Sequence, residues 1–445
     1  MATDVSNIEQ LAIDTIRTLS MDAVQQANSG HPGTPMALAP VTYVLWNEFL
    51  NFNPADPNWP VRDRFVLSCG HASMLLYATL HIAGVNGVDA DGNVTDSPSI
   101  SLDDIKNFRQ LGSPCAGHPE LGDAAGIEMT TGPLGQGVGT SVGMAMAAKW
   151  KSARFDRDAS NLFNNDVYVL CSDGDLMEGI GCEAASVAGH LKLDNLCWIY
   201  DDNNITIEGE TDLAFTEDTA TKFQGLGWHT VTVEDANDLD SIRAALQSFK
   251  DTSGKPTIII LKSIIGYGSP NKANSHAAHG APLGVDEVAL TKEAYGWDGS
   301  QQFIVPEGVY EHFASGIGSR VGTVASEWHE RLEAYTESHP NEFSQLSAIW
   351  NDELPAGWED GIPEFEADEK GLATRVSSGK VLNSVAQVYP WMIGGSADLA
   401  PSTMTNLDFE DAGELSAATP GGRNIHFGVR EHSMAAICNG LSLSG

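Results

Sequence analysis

The chain has 445 residues and no obvious internal repeat, so two or more domains are expected. It carries 60 acidic against 24 basic side chains, a formal charge of −36, with no basic block, which excludes a nucleic-acid footprint. No run reaches membrane-spanning length and no apolar signal region opens the chain, so a cytoplasmic protein without membrane contact is expected.

The elements read as follows in chain order. Residues 5–27 carry a helical apolar period through Ile8, Leu11, Ala12, Thr15, Ile16 and Leu19. A Gly/Pro turn around His31 leads into a second apolar helix. Arg64–Leu67 is a short strand, broken by Ser68-Cys69-Gly70-His71, with a helix from about Ala72. Residues 86–99 read as an exposed loop. Residues 129–148 read as a Gly-rich turn and a small-residue helix. Strands are predicted at 166–171, 196–200, 228–233 and 257–261, separated by helices or loops. Strands alternating with helices at this spacing predict an α/β fold with a mostly parallel sheet flanked by helices. Residues 320–365 read as a helix and an acidic linker. A second α/β segment follows, with a helix at 375–388, a strand-like WMIGGSADL and a short strand entering a helix at NIHFGVREHSMAAICNGL. The expected organisation is a first domain over 1–320, a helix and linker over 321–370, and an incomplete second domain over 371–445, which is expected to be poorly folded.

The six cysteines form no C-x-x-C pair and read as buried free thiols of a reducing compartment. The acidic surface has two readings. Hydrated carboxylates suit a salt-adapted host, where salt screens their repulsion, and they also occur in ordinary acidic cytosolic enzymes.

Four groups of residues carry chemistry. Asp173-Gly174 and Asp201-Asp202-Asn203-Asn204 each follow an apolar strand, where open α/β sheets place ligands. Asp173, Asn203 and the backbone near Ile205 offer oxygen donors for a divalent cation holding a diphosphate. Asp-Gly and Asn-Asn can equally be plain turns. Gly132-Pro133-Leu134-Gly135-Gln136-Gly137 allows close backbone approach, and the following helix would offer unpaired N–H groups to phosphate oxygens. Such glycines also serve helix packing. His31, His71, His118 and His279 each sit beside Gly or Pro in predicted loops, and His276 lies one turn before His279. Several imidazoles in one cleft suit proton shuttling around a polar substrate, whereas their spacing would not gather one metal. Gly428-Val429-Arg430-Glu431-His432 brings Glu431 into the start of a helix, either as a charge favouring the helix dipole or as a buried carboxylate facing a cofactor nitrogen.

Together these residues resemble the transketolases, which use thiamine diphosphate. The resemblance rests on NSGHPGTPMALAP, SCGHASMLLYATLH, AGHPE, TTGPLGQGVG, SDGDLMEG, DDNNITI, SHAAHGAPLG, ATRVSSGKVLN, GGSADLAPS and HFGVREHSMAAICNGL, in consistent order over nearly the whole chain. It implies a thiamine-diphosphate-binding fold and reversible transfer of a two-carbon ketol unit from a ketose phosphate to an aldose phosphate. That chemistry belongs to the pentose phosphate pathway and the Calvin cycle. It further implies that Asp173, Asn203 and the Ile205 carbonyl bind Mg²⁺, which Ca²⁺ or Mn²⁺ can replace. Gly132, Pro133, Leu134 and Gly174 would contact the cofactor, and His71 and His279 would lie by the diphosphate and the reacting carbon. His31, His118 and His279 would bind the sugar, with Arg375 and Ser402 gripping its phosphate. Glu431 would face the aminopyrimidine across a homodimer interface, with Glu178 and Asp398 in the carboxylate network there. Transfer in two half-reactions implies ping-pong kinetics.

Two departures stand out. Ser172 replaces the first glycine of the family's Gly-Asp-Gly, which leaves the ligand aspartate in place. The chain stops at Gly445, within the pyrimidine-binding domain, so the 445-residue chain alone is expected to be inactive. The alternatives are a dihydroxyacetone synthase, which takes formaldehyde as acceptor, and a non-catalytic interaction module.

Overall fold

The computed structural model describes residues 5–158 and 160–444, with side chains from residue 8 onward. Helices α1 (Val5–Ala27) and α2 (Gly33–Val44) lead into β1 (Arg64–Leu67) and α3 (Ser73–Ile82). Then come β2 (Asn86–Val88), β3 (Val94–Pro98), α4 (Leu102–Lys106), α5 (Gln136–Phe155), β4 (Val167–Ser172), α6 (Asp173–Met177) and α7 (Gly179–Leu191). Strand β5 (Leu196–Asp202), α8 (Thr219–Gly225), β6 (His229–Val233), α9 (Leu239–Asp251) and β7 (Thr257–Lys262) follow.

The main sheet has five parallel strands in the order β1-β4-β5-β7-β6. Helices cover both faces, so β1, β4, β5 and β7 are buried almost throughout and read as continuous apolar runs. Leu67 pairs with Leu170, Leu170 with Ile199 and Ile199 with Ile259. Ser172 pairs with Asp201, which brings the ends of β4 and β5 level. That register places Asp173 beside the Asp201–Asn203 turn.

Residues 86–98 form an exposed antiparallel hairpin of β2 and β3 rather than a loop. Its strands are short and mostly solvated, so no apolar alternation marks them. The helix predicted near 320 is two helices, α12 (Ser319–Ser338) and α13 (Pro340–Trp350), preceded by α10 (Val285–Ala294) and α11 (Val309–Phe313). Proline is favoured at a first helical position, and Pro340 opens α13. Two donors pin α12 to the first unit. Trp328 Nε1 donates to the Leu162 carbonyl at 3.0 Å, and Tyr335 Oη to that of Phe155 at 2.6 Å.

Beyond residue 370 the chain is folded, contrary to the expectation of poor order. Helix α14 (Thr374–Val388), β8 (Gly394–Ser396), α15 (Ala400–Thr403), β9 (Asn424–His426) and α16 (Glu431–Ser442) follow one another. Strands β8 and β9 form a two-stranded parallel sheet. Ala386, Leu407 and Ala412 form a small core there. The larger support comes from α16, which buries Ser433, Ala436, Ile437 and Gly440. A β-carbon on Gly143 of α5 would strike the Ile437 carbonyl, and one on Gly440 would strike that of Thr140. Gly143→Ala is therefore expected to destabilise by about 1–3 kcal/mol through overpacking, although alanine alone favours a helix by about 1 kcal/mol. Urea denaturation of wild type and variant checks the sign. Faster proteolysis within 374–442 would show α16 lifting from α5.

Cys69, Cys115, Cys171 and Cys197 are buried, Cys182 is half-buried and Cys438 is exposed, all as free thiols. The expectation of buried thiols fails at Cys438, which is exposed on α16. Among the described residues, no helix is long and apolar enough to cross a membrane.

Candidate active site

A cleft of about 360 Å³ opens at the C-terminal ends of β1, β4 and β5. Ligands of open α/β sheets bind there because strand-to-helix turns leave backbone groups and small polar side chains facing outward. Its walls include His31, His71, His118 and His279, with Gly132, Leu134, Asp173, Gly174, Asn203 and Ile205. Four loops far apart in sequence thus share one cavity. The rings of His31, His71 and His279 are mutually close, with centroids 5.0, 5.4 and 5.9 Å apart. His118 sits over Gly132, where a β-carbon would lie 3.3 Å from its Cγ.

Burial disfavours the charged form of these imidazoles. His71 is lowered to about 3, by burial first and then by His31, His279 and His118. His31 is lowered to about 4, again by burial first. Burial lowers His279 too. All three are neutral near pH 7 and can accept a proton. The Nδ1 atoms of His31 and His279 are buried without a hydrogen-bond partner, as suits a cleft that receives a polar ligand.

The other end of the cleft is acidic. Asp173 is 4 % exposed, and Tyr200 Oη donates to its Oδ1 at 2.5 Å. Burial raises its carboxyl to about 6, opposed by the Tyr200 bond and reinforced by Asp202 and Asp175. Asp201, also buried, is raised to about 7. The nearby cation, Lys262, is paired with Asp202. Buried carboxylates left without a cation fit a divalent ion, and Asn203 and the Ile205 carbonyl add neutral oxygen donors. Among the described residues no three His, Cys, Asp or Glu side chains are gathered for a metal, so such an ion needs oxygens from its ligand as well. Asp201 Oδ2 accepts Asn203 Nδ2 at 2.7 Å, and Asn203 Oδ1 accepts the Ile205 N–H at 2.8 Å. These bonds fix which way the Asn203 amide faces.

One sequence reading needs correction. The N-terminus of α5 offers fewer free N–H groups to a phosphate than its sequence suggests. Val138 N–H donates to Ser68 Oγ at 3.0 Å, and Gly135 N–H to Asp175 Oδ1 at 2.8 Å. Asp175 is fully buried and also accepts Ser68 Oγ, Ser172 N–H and Ser172 Oγ. It ties three loops of the cleft floor together. The glycine-rich turn contributes through close approach instead. A β-carbon on Gly174 would lie 2.5 Å from Leu134 Cδ1, so Leu134 crosses the floor only because residue 174 is glycine.

The remaining candidates lie elsewhere. Pro133, Glu178, Arg375, Asp398, Ser402 and Glu431 are exposed and do not line this cleft, nor does His276. Glu431 is not a buried carboxylate within its own chain. It opens α16 on the solvent side, while the opposite face of that helix packs on α5.

Residues 8–355 match the family model described as transketolase, thiamine diphosphate binding domain. Residues 370–445 match transketolase, pyrimidine binding domain. The chain belongs to the transketolase family. It is 48% identical to a transketolase of Geobacillus stearothermophilus over 439 residues, covering 99% of this chain and 63% of that protein. A Bacillus subtilis transketolase is 45% identical over 441 residues, covering 99% and 64%. Among solved structures, the transketolase of Leishmania mexicana superposes with a TM-score of 0.93 at 41% identity, covering 100% of this chain and 63% of that one. A Pichia stipitis transketolase in complex with sedoheptulose 7-phosphate gives 0.92 at 40%, covering 98% and 63%. The chain thus spans a little under two thirds of the transketolases it matches. Its larger unit is a thiamine-diphosphate-binding domain of that family.

Asp175 and Tyr200 were not singled out from sequence, and Asp201 was read only as part of the Asp201–Asn204 turn. Asp175 had a usable signal, an Asp three residues after the helix-capping Ser172, with which it forms a capping box. Tyr200 sits within an apolar strand run, so only its hydrogen bond to Asp173 reveals it.

Proposed function

We propose that this chain serves a transketolase reaction. A two-carbon ketol unit moves from a ketose phosphate such as xylulose 5-phosphate to an aldose phosphate such as ribose 5-phosphate or erythrose 4-phosphate. The observation carrying this reading is the cleft itself, with neutral histidines at one end and cation-free buried carboxylates at the other, within the thiamine-diphosphate-binding domain. A Pichia stipitis relative bound to sedoheptulose 7-phosphate supports sugar phosphates as the substrate class.

Thiamine diphosphate, when bound, supplies a nucleophilic carbon and an electron sink for cleaving a carbon–carbon bond. The residues of this chain bind, orient and move protons. Asp173, Asn203 and the Ile205 carbonyl would hold Mg²⁺, with Ca²⁺ or Mn²⁺ as substitutes. Gly132, Pro133, Leu134 and Gly174 would contact the cofactor. His71 and His279 would accept and return protons beside the diphosphate and the reacting carbon, and His31 and His118 would bind the sugar hydroxyls. Arg375 and Ser402 would hold the sugar phosphate. Glu431 would serve the cofactor across a homodimer interface, with Glu178 and Asp398 in the same carboxylate network. Residues 1–320 would bind the diphosphate end, 321–370 would link, and 371–445 would carry the pyrimidine side. A cytoplasmic location fits phosphorylated sugars.

Calorimetry with thiamine diphosphate and Mg²⁺ tests the reading directly. Saturable, Mg²⁺-dependent binding is expected. No binding would sink it and favour an interaction module. Assaying transfer from xylulose 5-phosphate to ribose 5-phosphate against formaldehyde then separates a transketolase from a dihydroxyacetone synthase.

A further inference from the structure

Arg109 lies outside the cleft and in none of the motifs assigned above. Its backbone is left-handed, with φ of 62°, which a residue with a side chain rarely adopts. Its N–H closes the turn on the Cys115 carbonyl at 2.9 Å. From this turn the side chain reaches between the two loops that carry His31 and His118. Nη1 donates to Ser29 Oγ at 2.6 Å. The rest of the guanidinium lies against Gly117, where a β-carbon would be 2.9 Å from Nε. The neighbouring Phe108 does the same at Gly30, again at 2.9 Å. Helix α3 holds the second loop from behind, since Tyr77 Oη and Ser73 Oγ donate to the carbonyls of Ala116 and Gly117, each at 3.0 Å. Residues 108 and 109 are thus wedged between the segments that present the two histidines.

Acidic side chains outnumber basic ones 60 to 24, yet among the described residues Arg109 has no carboxylate partner to offset its charge. Its Nε is buried with no hydrogen-bond partner. A guanidinium bonded to Ser29, two residues before His31, and packed on Gly117, next to His118, exerts its field on both rings.

We propose that Arg109 is a positioning residue that braces the His31 and His118 loops and whose uncompensated charge disfavours protonation of both imidazoles. Neutral rings can accept protons and hydrogen bonds from sugar hydroxyls, whereas imidazolium ions cannot. The sugar-binding role rests on the function proposed above; the effect on the rings does not. His31 faces His279, Arg109 and His118, all of which add to the lowering begun by burial, and its ring also meets that of His71. His118 is lowered by burial and then by Arg109, against Glu120.

Two variants of the full 445-residue chain separate the brace from the charge. Arg109→Gln keeps a donor for Ser29 and removes the charge; Arg109→Lys keeps the charge and loses the planar fork. Histidine titrations are followed by NMR on isotope-labelled protein, with the two signals assigned through His31→Asn and His118→Asn. The Gln variant is expected to raise both midpoints by about half to one pH unit, and the Lys variant to leave them low. Unchanged midpoints in the Gln variant, even with a lower melting temperature, would overturn the electrostatic role and leave a structural brace. If the chain binds no thiamine diphosphate while the midpoints still move, the proposed function fails and the role of Arg109 stands.

Discussion

Replacing Asp173 by asparagine is expected to weaken Mg²⁺-dependent binding of thiamine diphosphate by at least about 100-fold, while stabilising the cofactor-free chain. Even residues that only orient metal ligands cost roughly 10–100-fold in affinity when changed, so loss of an anionic ligand should cost no less. The opposite effect on stability comes from the same burial. Asp173 is 4 % exposed and its carboxyl is raised from 3.8 to about 6. Above pH 6 the folded chain carries a charge that the unfolded chain solvates better, at a cost on the order of 2–3 kcal/mol. Asparagine removes that charge and still accepts the Tyr200 hydrogen bond. The gain should be full at pH 7 and above, and should vanish as pH falls from 6 towards 4, where Asp173 becomes protonated. Urea denaturation at several pH values, paired with calorimetry, measures both halves. Equal cofactor affinity in the two proteins would remove Asp173 from the proposed metal site.

The second large effect concerns acid. His71 is lowered from 6.5 to about 3, chiefly by burial. Below pH 6.5 the unfolded chain binds a proton there that the folded chain refuses, so His71 costs stability as pH falls from 6.5 towards 3. The slope is about 1.4 kcal/mol per pH unit, or on the order of 2 kcal/mol by pH 5. Asp63 and Asp201 pull the other way, since burial raises each to about 7. The measurement is therefore a difference between two proteins. Between pH 7 and 5 the stability of His71→Asn is expected to improve by about 2 kcal/mol relative to wild type. A constant gap across that range would mean that His71 titrates normally.

Much of the frame was legible in the sequence. The predicted strand at Arg64–Leu67 matches β1 residue for residue, and the other four sheet strands fall within a residue or two of prediction. Strands buried on both faces must be apolar along their whole length, so burial writes itself into local composition. The place of Asp173 and Asn203 on the cleft wall was legible for a related reason. Small oxygen-bearing residues just after such strands mark the sheet end where ligands sit. The hairpin at 86–98 was not legible, because short solvated strands bury nothing that would leave a pattern. The first turn of α5 was misread in part, because the N–H groups of Gly135 and Val138 are taken by Asp175 and Ser68. Those two residues are 107 apart in sequence.

By itself the sequence determined where the strands of the main sheet lie and which loops carry imidazole and carboxylate. Both follow from rules acting over a few residues, namely apolar period, turn chemistry and helix capping. Only the tertiary structure decided that four histidine loops share one cleft, that Tyr200 and Asp201 orient Asp173 and Asn203, and that Glu431 faces away from its own chain's site. Each depends on strand order and register, here β1-β4-β5-β7-β6 with Ser172 opposite Asp201. Register is set by the packing of the whole sheet against its helices, so no local stretch of the chain contains it.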